Sequence, residues 1–125
     1  MRIPYEYAII RAVPRVERGE QINVGVVLYC QLRDFLAART HLHEDRLLAL
    51  DPDADLDGIR AALKSWEVTC VGGADGGAAR EMKLGERFRW LVAPRSTILQ
   101  TSPVHMGLTE HPEAELGRLM ELLVR

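Results

Sequence analysis

The chain opens with two runs in which apolar side chains recur on both faces of an extended backbone. From Tyr5 to Val13, the side chains Tyr5, Tyr7, Ile9, Arg11 and Val13 fall on one face and Glu6, Ala8 and Ile10 on the other. That two-sided pattern predicts a central strand. The run Ile22 to Cys30 places Ile22, Val24, Val26, Leu28 and Cys30 opposite Asn23, Gly25, Val27 and Tyr29, and is rich in β-branched residues. A polar connection with proline and glycine separates the two runs, so they should pair antiparallel. Gly25, inside a strand, predicts a bulge or a close approach by another group. A third run, Arg33 to Thr40, follows a short turn and completes a three-stranded meander.

The period then changes from two to 3.6. A short helix is predicted over Glu44 to Leu50, stopped by Asp51-Pro52 because proline disfavours helical geometry in the residue before it. A longer one follows, capped by Asp53 or Asp55, with Leu56, Ile59, Leu63 and Trp66 as its buried stripe and an end near Cys70. The run from Gly72 to Gly77, GGADGG, predicts a mobile surface loop. Another helix is predicted from Gly85 to Ala93, with Phe88, Leu91 and Val92 on one face and Pro94 preventing continuation. STILQTS, Ser96 to Ser102, reads as a fourth strand. Pro112, followed by Leu116, Leu119, Met120 and Leu123 at helical spacing, marks a final amphipathic helix. The order predicts a single α+β domain over residues 1–125, a mostly antiparallel sheet of about four strands with helices packed on one face.

Composition narrows the function classes. The chain has 125 residues, 47% of them hydrophobic and 27% charged, enough for one core and too few for two full domains. A formal charge of −2 supplies no global field toward nucleic acid or anionic lipid, so any anion site must be local and nucleic-acid binding is not favoured. Cys30 and Cys70 lack CxxC spacing and read as buried thiols in a reducing compartment. The N-terminal residues form no secretory signal and no stretch is long enough to cross a bilayer, so a cytoplasmic protein without membrane association is expected.

Two segments carry candidate chemistry. In RVERGEQINVG, Arg18 offers a planar five-donor fork and Asn23 an amide beside Gly25, which together suit a phosphate or carboxylate. The same residues also fit a solvated hairpin with an Arg18–Glu20 ion pair. From Gly85 to Gly107, Arg95 and Ser96 follow the proline at a helix-to-strand junction, with His105 further on. Arg87 and Arg89 stand about 200° apart around a helix and cannot face one ligand, so one of them is a surface or scaffold residue. Arg95 lies at a helix C-terminus, where the macrodipole repels anions and a guanidinium can cap the last carbonyls instead. Arg18, Asn23, Arg95, Ser96 and His105 are therefore the candidate binding residues. Trp66 and Trp90 read as core anchors. His41 and His43 lack the further ligands of a zinc site. With no HExxH, GxSxG, GxxxxGK[ST] or GxGxxG motif, no catalytic residue, metal or cofactor is assigned.

Three blocks in order, RGEQINVGVVLY, DPDADLDGIRAAL and GERFRWLVAPRSTILQTSPVH, together resemble a bacterial family catalogued as domain of unknown function 3037. The resemblance spans nearly the whole chain and carries no established activity. It implies a cytosolic bacterial protein often encoded beside a HipA-like kinase, hence a partner or accessory role. The leading expectation is a non-enzymatic interaction module using Arg18, Asn23, Arg95, Ser96 and His105. The alternative is an enzyme or sensor that clamps a phosphorylated small molecule or nucleotide between Arg18 and Arg95. Nucleic-acid binding through local arginines is a third option, and a homo-oligomer is compatible with all three.

Overall fold

The computed structural model describes residues 1–71, 83–95 and 97–125. The expected loop at Gly72 to Gly77 lies outside the described residues. The strands are Ile3–Ala12 (β1), Ile22–Cys30 (β2), Phe35–Thr40 (β3), Leu99–Thr101 (β4) and His105–Thr109 (β5). The helices are Glu44–Leu50 (α1), Leu56–Val71 (α2), Leu84–Val92 (α3) and Pro112–Leu123 (α4). All pairings are antiparallel and the order is β3-β2-β1, with β4 and β5 both on the remaining edge of β1. The expected α+β architecture and the central position of the first strand are as found.

Local chemistry explains most boundaries. Asp55 caps α2, its carboxylate accepting the Gly58 N–H at 3.0 Å. Asp51 is extended, with φ −149°, and ends α1 before Pro52. A 3-10 turn at Gln31–Arg33, closed by Asp34 in the left-handed region at φ 51°, separates β2 from β3, so β3 starts two residues later than Arg33. The β1–β2 register shifts between Ile10 and Arg11, opposite Gly25 and Asn23. A Cβ on Gly25 would stand 2.6 Å from the Arg39 carbonyl oxygen. Both expectations for that glycine, a bulge and a close approach, are met at one position.

The fourth expected strand is shorter, and a fifth follows it. Between the pairs Ile10–Thr101 and Tyr7–His105, two residues of β1 face the three residues Ser102, Pro103 and Val104. Pro103 has no N–H to offer β1. Ser102 repairs the ladder, its N–H donating to the Ile9 carbonyl at 2.9 Å and its Oγ accepting the Ile9 N–H at 2.8 Å. β4 and β5 are thus two lengths of one edge ribbon, joined by a bulge.

The helices do not share one face, contrary to the expectation. Ala8, Ile10 and Ala12 of β1 pack with Leu47, Ile59, Leu63, Trp66, Phe88 and Leu91 from α1, α2 and α3. Ile3 and Tyr5, with Val26, Leu28 and Cys30 of β2, pack instead with Leu116, Leu119 and Met120 of α4. The reason is in the first two strands: apolar residues on both faces need cover on both, and the stripe of α4 supplies the second. Complete burial of Phe88 and Leu116 stabilises each side by about 1.5–3 kcal/mol per residue.

Candidate functional site

The residues singled out from the sequence do not share one environment. Arg18 is exposed and its Nε donates to Glu20 at 2.5 Å, the ion pair of a solvated hairpin. Asn23 donates its amide to the Leu123 carbonyl at 3.0 Å, fastening β2 to the last turn of α4. Arg95 donates to the Trp90 carbonyl at 2.6 Å and lies over the rings of Trp90 and Trp66 at 5.3 and 5.5 Å. This is the capping role that a guanidinium takes at a helix C-terminus. Trp66 is buried, whereas Trp90 is 43% exposed and serves as the outer plate of that stack rather than as a core anchor. Ser96 lies outside the described residues. His105 is exposed on β5, its ring 5.3 Å from that of Tyr7.

Arg87 and Arg89 diverge as their angular separation requires. Arg87 is buried and donates to the Cys70 carbonyl at 2.9 Å, tying α3 to the end of α2. Arg89 is exposed and holds both carboxylate oxygens of Glu6 at 2.8 and 2.9 Å. The rings of His41 and His43 meet edge to face at 4.4 Å, and His43 Nε2 lies 3.1 Å from the Val124 carbonyl. Among the described residues no three His, Cys, Asp or Glu side chains are grouped to hold a metal ion. No described helix is long and apolar enough to cross a membrane.

The structure instead brings together a set that periodicity could not. β5 and α4 flank an open groove of about 840 Å³. Tyr5 and Tyr7 lie along its floor and Leu122, Glu115 and Arg118 along its helical wall. The Tyr5 hydroxyl donates to the Glu115 carboxylate, which also accepts Arg118 Nε and Nη2 at 2.8 Å each. Gly107 of β5 leaves room for this phenol, since a Cβ there would stand 2.6 Å from Tyr5 Oη. On the helical wall Leu122 is open to solvent at 66% exposure, whereas Met106 and Leu108, 72% and 53% exposed, alternate with Gly107 and project from the opposite face of the sheet, opposite Glu6 and Pro4.

The electrostatics of the set favour fixed charge over proton transfer. Burial, and then the Glu115 carboxylate, push the Tyr5 phenol up to about 12. The Arg118 hydrogen bonds hold Glu115 below the usual carboxylate range, and Glu115 in turn raises Arg118. Neither acid is therefore poised to exchange a proton near neutral pH. A signal was present in the sequence, Tyr5 and Tyr7 on one strand face and Glu115 and Arg118 three apart on the last helix. Without the pairing of β1 with β5, nothing joined the two.

The model of the family described as protein of unknown function (DUF3037) matches residues 7–124, nearly the whole chain. The chain belongs to that family. The DUF3037 match takes in β2 through α4 and most of β1, so the sheet, both cores and the groove lie almost wholly within it. Neither a curated protein nor a solved structure matches the chain.

Proposed function

We infer that this DUF3037 protein is a non-enzymatic interaction module whose docking surface is the groove between β5 and α4. The observation that carries the reading is an open groove floored by Tyr5 and Tyr7 and walled by the exposed Leu122, beside an acid pair held away from proton exchange. A wide, open groove with an exposed apolar wall favours a macromolecular partner. The partner class is the one the family resemblance implies, a HipA-like kinase. Of the residues first considered for this role, His105 stands on the groove side, on the β5 ladder with Tyr7. Arg18, Asn23 and Arg95 each serve contacts within the chain.

Co-expression of the tagged chain with a HipA-like kinase encoded beside it tests the reading. Co-purification that survives Arg18→Ala and is lost in Leu122→Asp supports it; no association at low salt overturns it. The alternative, an enzyme or sensor gripping a phosphorylated small molecule or nucleotide with Arg18 and Arg95, would use guanidinium donors beyond those given to Glu20 and the Trp90 carbonyl. Thermal stabilisation by a nucleotide or sugar phosphate, abolished by Arg95→Ala, would favour it instead.

A further inference from the structure

Beyond the docking groove, the outer edge of β5 is left unpaired by the described strands. Backbone polar groups of successive strand residues point to opposite edges. The Ile9 N–H and carbonyl face the β4–β5 side, through Ser102. The Pro4 carbonyl faces the other way and accepts the Cys30 thiol at 3.5 Å. By this alternation Ile3, Tyr5 and Tyr7 exchange hydrogen bonds with Thr109, Gly107 and His105. The N–H and carbonyl groups of Met106 and Leu108 therefore point away from β1, to a side where the sheet has no further strand among the described residues.

Natural edge strands are guarded by charged side chains, proline or very short length. The other edge strand, β3, carries Arg39. His105–Thr109 holds no Asp, Glu, Lys, Arg or Pro, and its Met106 and Leu108 side chains stand in solvent. An unguarded edge of this kind is a template for another strand.

We propose that the occupant is β5 of a second copy of this chain, joined antiparallel about a two-fold axis at Gly107. The sequence HMGLT is complementary to itself in that register. Gly107 meets Gly107 of the second copy, so no side chains collide on the axis. Met106 falls opposite Leu108 of the second copy, and Leu108 opposite its Met106. Each of these two pairs closes two backbone hydrogen bonds, using the donors and acceptors that β1 leaves free, and each sets two exposed apolar side chains against one another. Thr109 then comes opposite His105 and, two positions beyond Leu108, Glu110 comes opposite Val104, so no like charges are opposed. The net charge of −2 per copy adds little long-range repulsion. This pairing is isologous and closes at two copies, whereas β5 against β3 would run on as a filament and would meet Arg39.

Sedimentation velocity and light scattering on the protein alone test this. The expected result is a mass that rises with concentration from 14.1 kDa toward twice that value, with Met106 and Leu108 amides exchanging more slowly as the dimer fills. Met106→Lys and Leu108→Lys, both at exposed positions, are expected to hold the chain monomeric while far-ultraviolet circular dichroism stays unchanged. Leu122→Asp, on α4, leaves the dimer intact. A chain monomeric up to millimolar concentration, or a dimer that persists in both lysine variants, overturns the proposal. The outcome is independent of kinase binding, which Leu122→Asp reads separately.

Discussion

Replacing Gly107 by alanine tests the packing of the groove floor. The new methyl carbon would stand 2.6, 2.7 and 2.9 Å from Oη, Cζ and Cε1 of Tyr5, well inside van der Waals contact. The backbone is not the obstacle, since Gly19 is the glycine found at positive φ among the described residues. Relief has two routes: β5 backs away from β1, or the Tyr5 ring tilts and loosens its bond to Glu115. Overpacking of this kind costs about 1–3 kcal/mol. Losing a hydrogen bond to a charged partner costs about 1.5–3 kcal/mol. The two costs do not add, because either movement removes the clash, so a loss of roughly 2 kcal/mol is expected. For a domain of this size that lowers Tm by about 6–10 °C. Urea unfolding followed by tryptophan fluorescence measures it. In a Tyr5→Phe background the nearest atom is gone, and the alanine should cost less, with a coupling of about 0.5 kcal/mol or more. Gly19→Ala is the contrast: nothing lies within 4 Å, but φ is +71°, so its cost of about 1–2 kcal/mol comes from backbone conformation and is independent of Tyr5. A Gly107→Ala protein as stable as the parent, or strict additivity with Tyr5→Phe, would refute the reasoning.

Three further outcomes follow from contacts elsewhere. Arg87→Met keeps the buried stem but removes the donor to the Cys70 carbonyl, and is expected to cost about 1–3 kcal/mol in urea unfolding; a loss under about 0.5 kcal/mol would contradict that role. Asn23→Ala should cost about 1 kcal/mol and speed amide exchange in the last turn of α4, whose Leu123 carbonyl it releases. Burial pushes the Cys70 thiol from 9.0 to about 12 and, with Glu115, the Tyr5 phenol from 10.0 to about 12. The folded chain therefore keeps protons that the unfolded chain gives up, so this stability is complete below pH 9 and is lost as the pH rises toward 12. Unfolding free energies measured from pH 8 to 11 should fall with pH, and a flat profile would show that the two groups are not buried as described.

Elements that carry their own signal were legible in the sequence. β2 fills the predicted span from Ile22 to Cys30, and the stripes of α2 and α4 and the stop at Asp51-Pro52 stand where periodicity and proline place them. β5 was not legible, because HMGLT has exposed apolar residues and a glycine where a half-buried strand would alternate. It is a strand because β1 offers an edge and Ser102 resets the register, neither of which a local window contains. The allocation of helices to two faces was implicit in the two-sided apolar pattern of β1 and β2. The intrachain contacts of Arg18, Asn23 and Arg95 were hidden for a related reason: a sequence shows the donor without its acceptor. The Tyr5–Glu115–Arg118 set spans both ends of the chain and becomes a set only when α4 returns over β1.

The place of β1 in the sheet has a consequence for how the protein is made. Its partner on one side, β2, follows after a short hairpin, but the other side stays bare until residues 99–109 leave the ribosome. At about 5–20 residues per second, that interval lasts roughly 5–20 s. Throughout it the nascent chain displays IPYEYAIIRA along an unpaired side, with the face that α4 will cover also open. Chains stalled or truncated before Leu99 are thus the species most prone to aggregate, and translation speed from β1 to β5 sets how long that side of the strand stays unpaired.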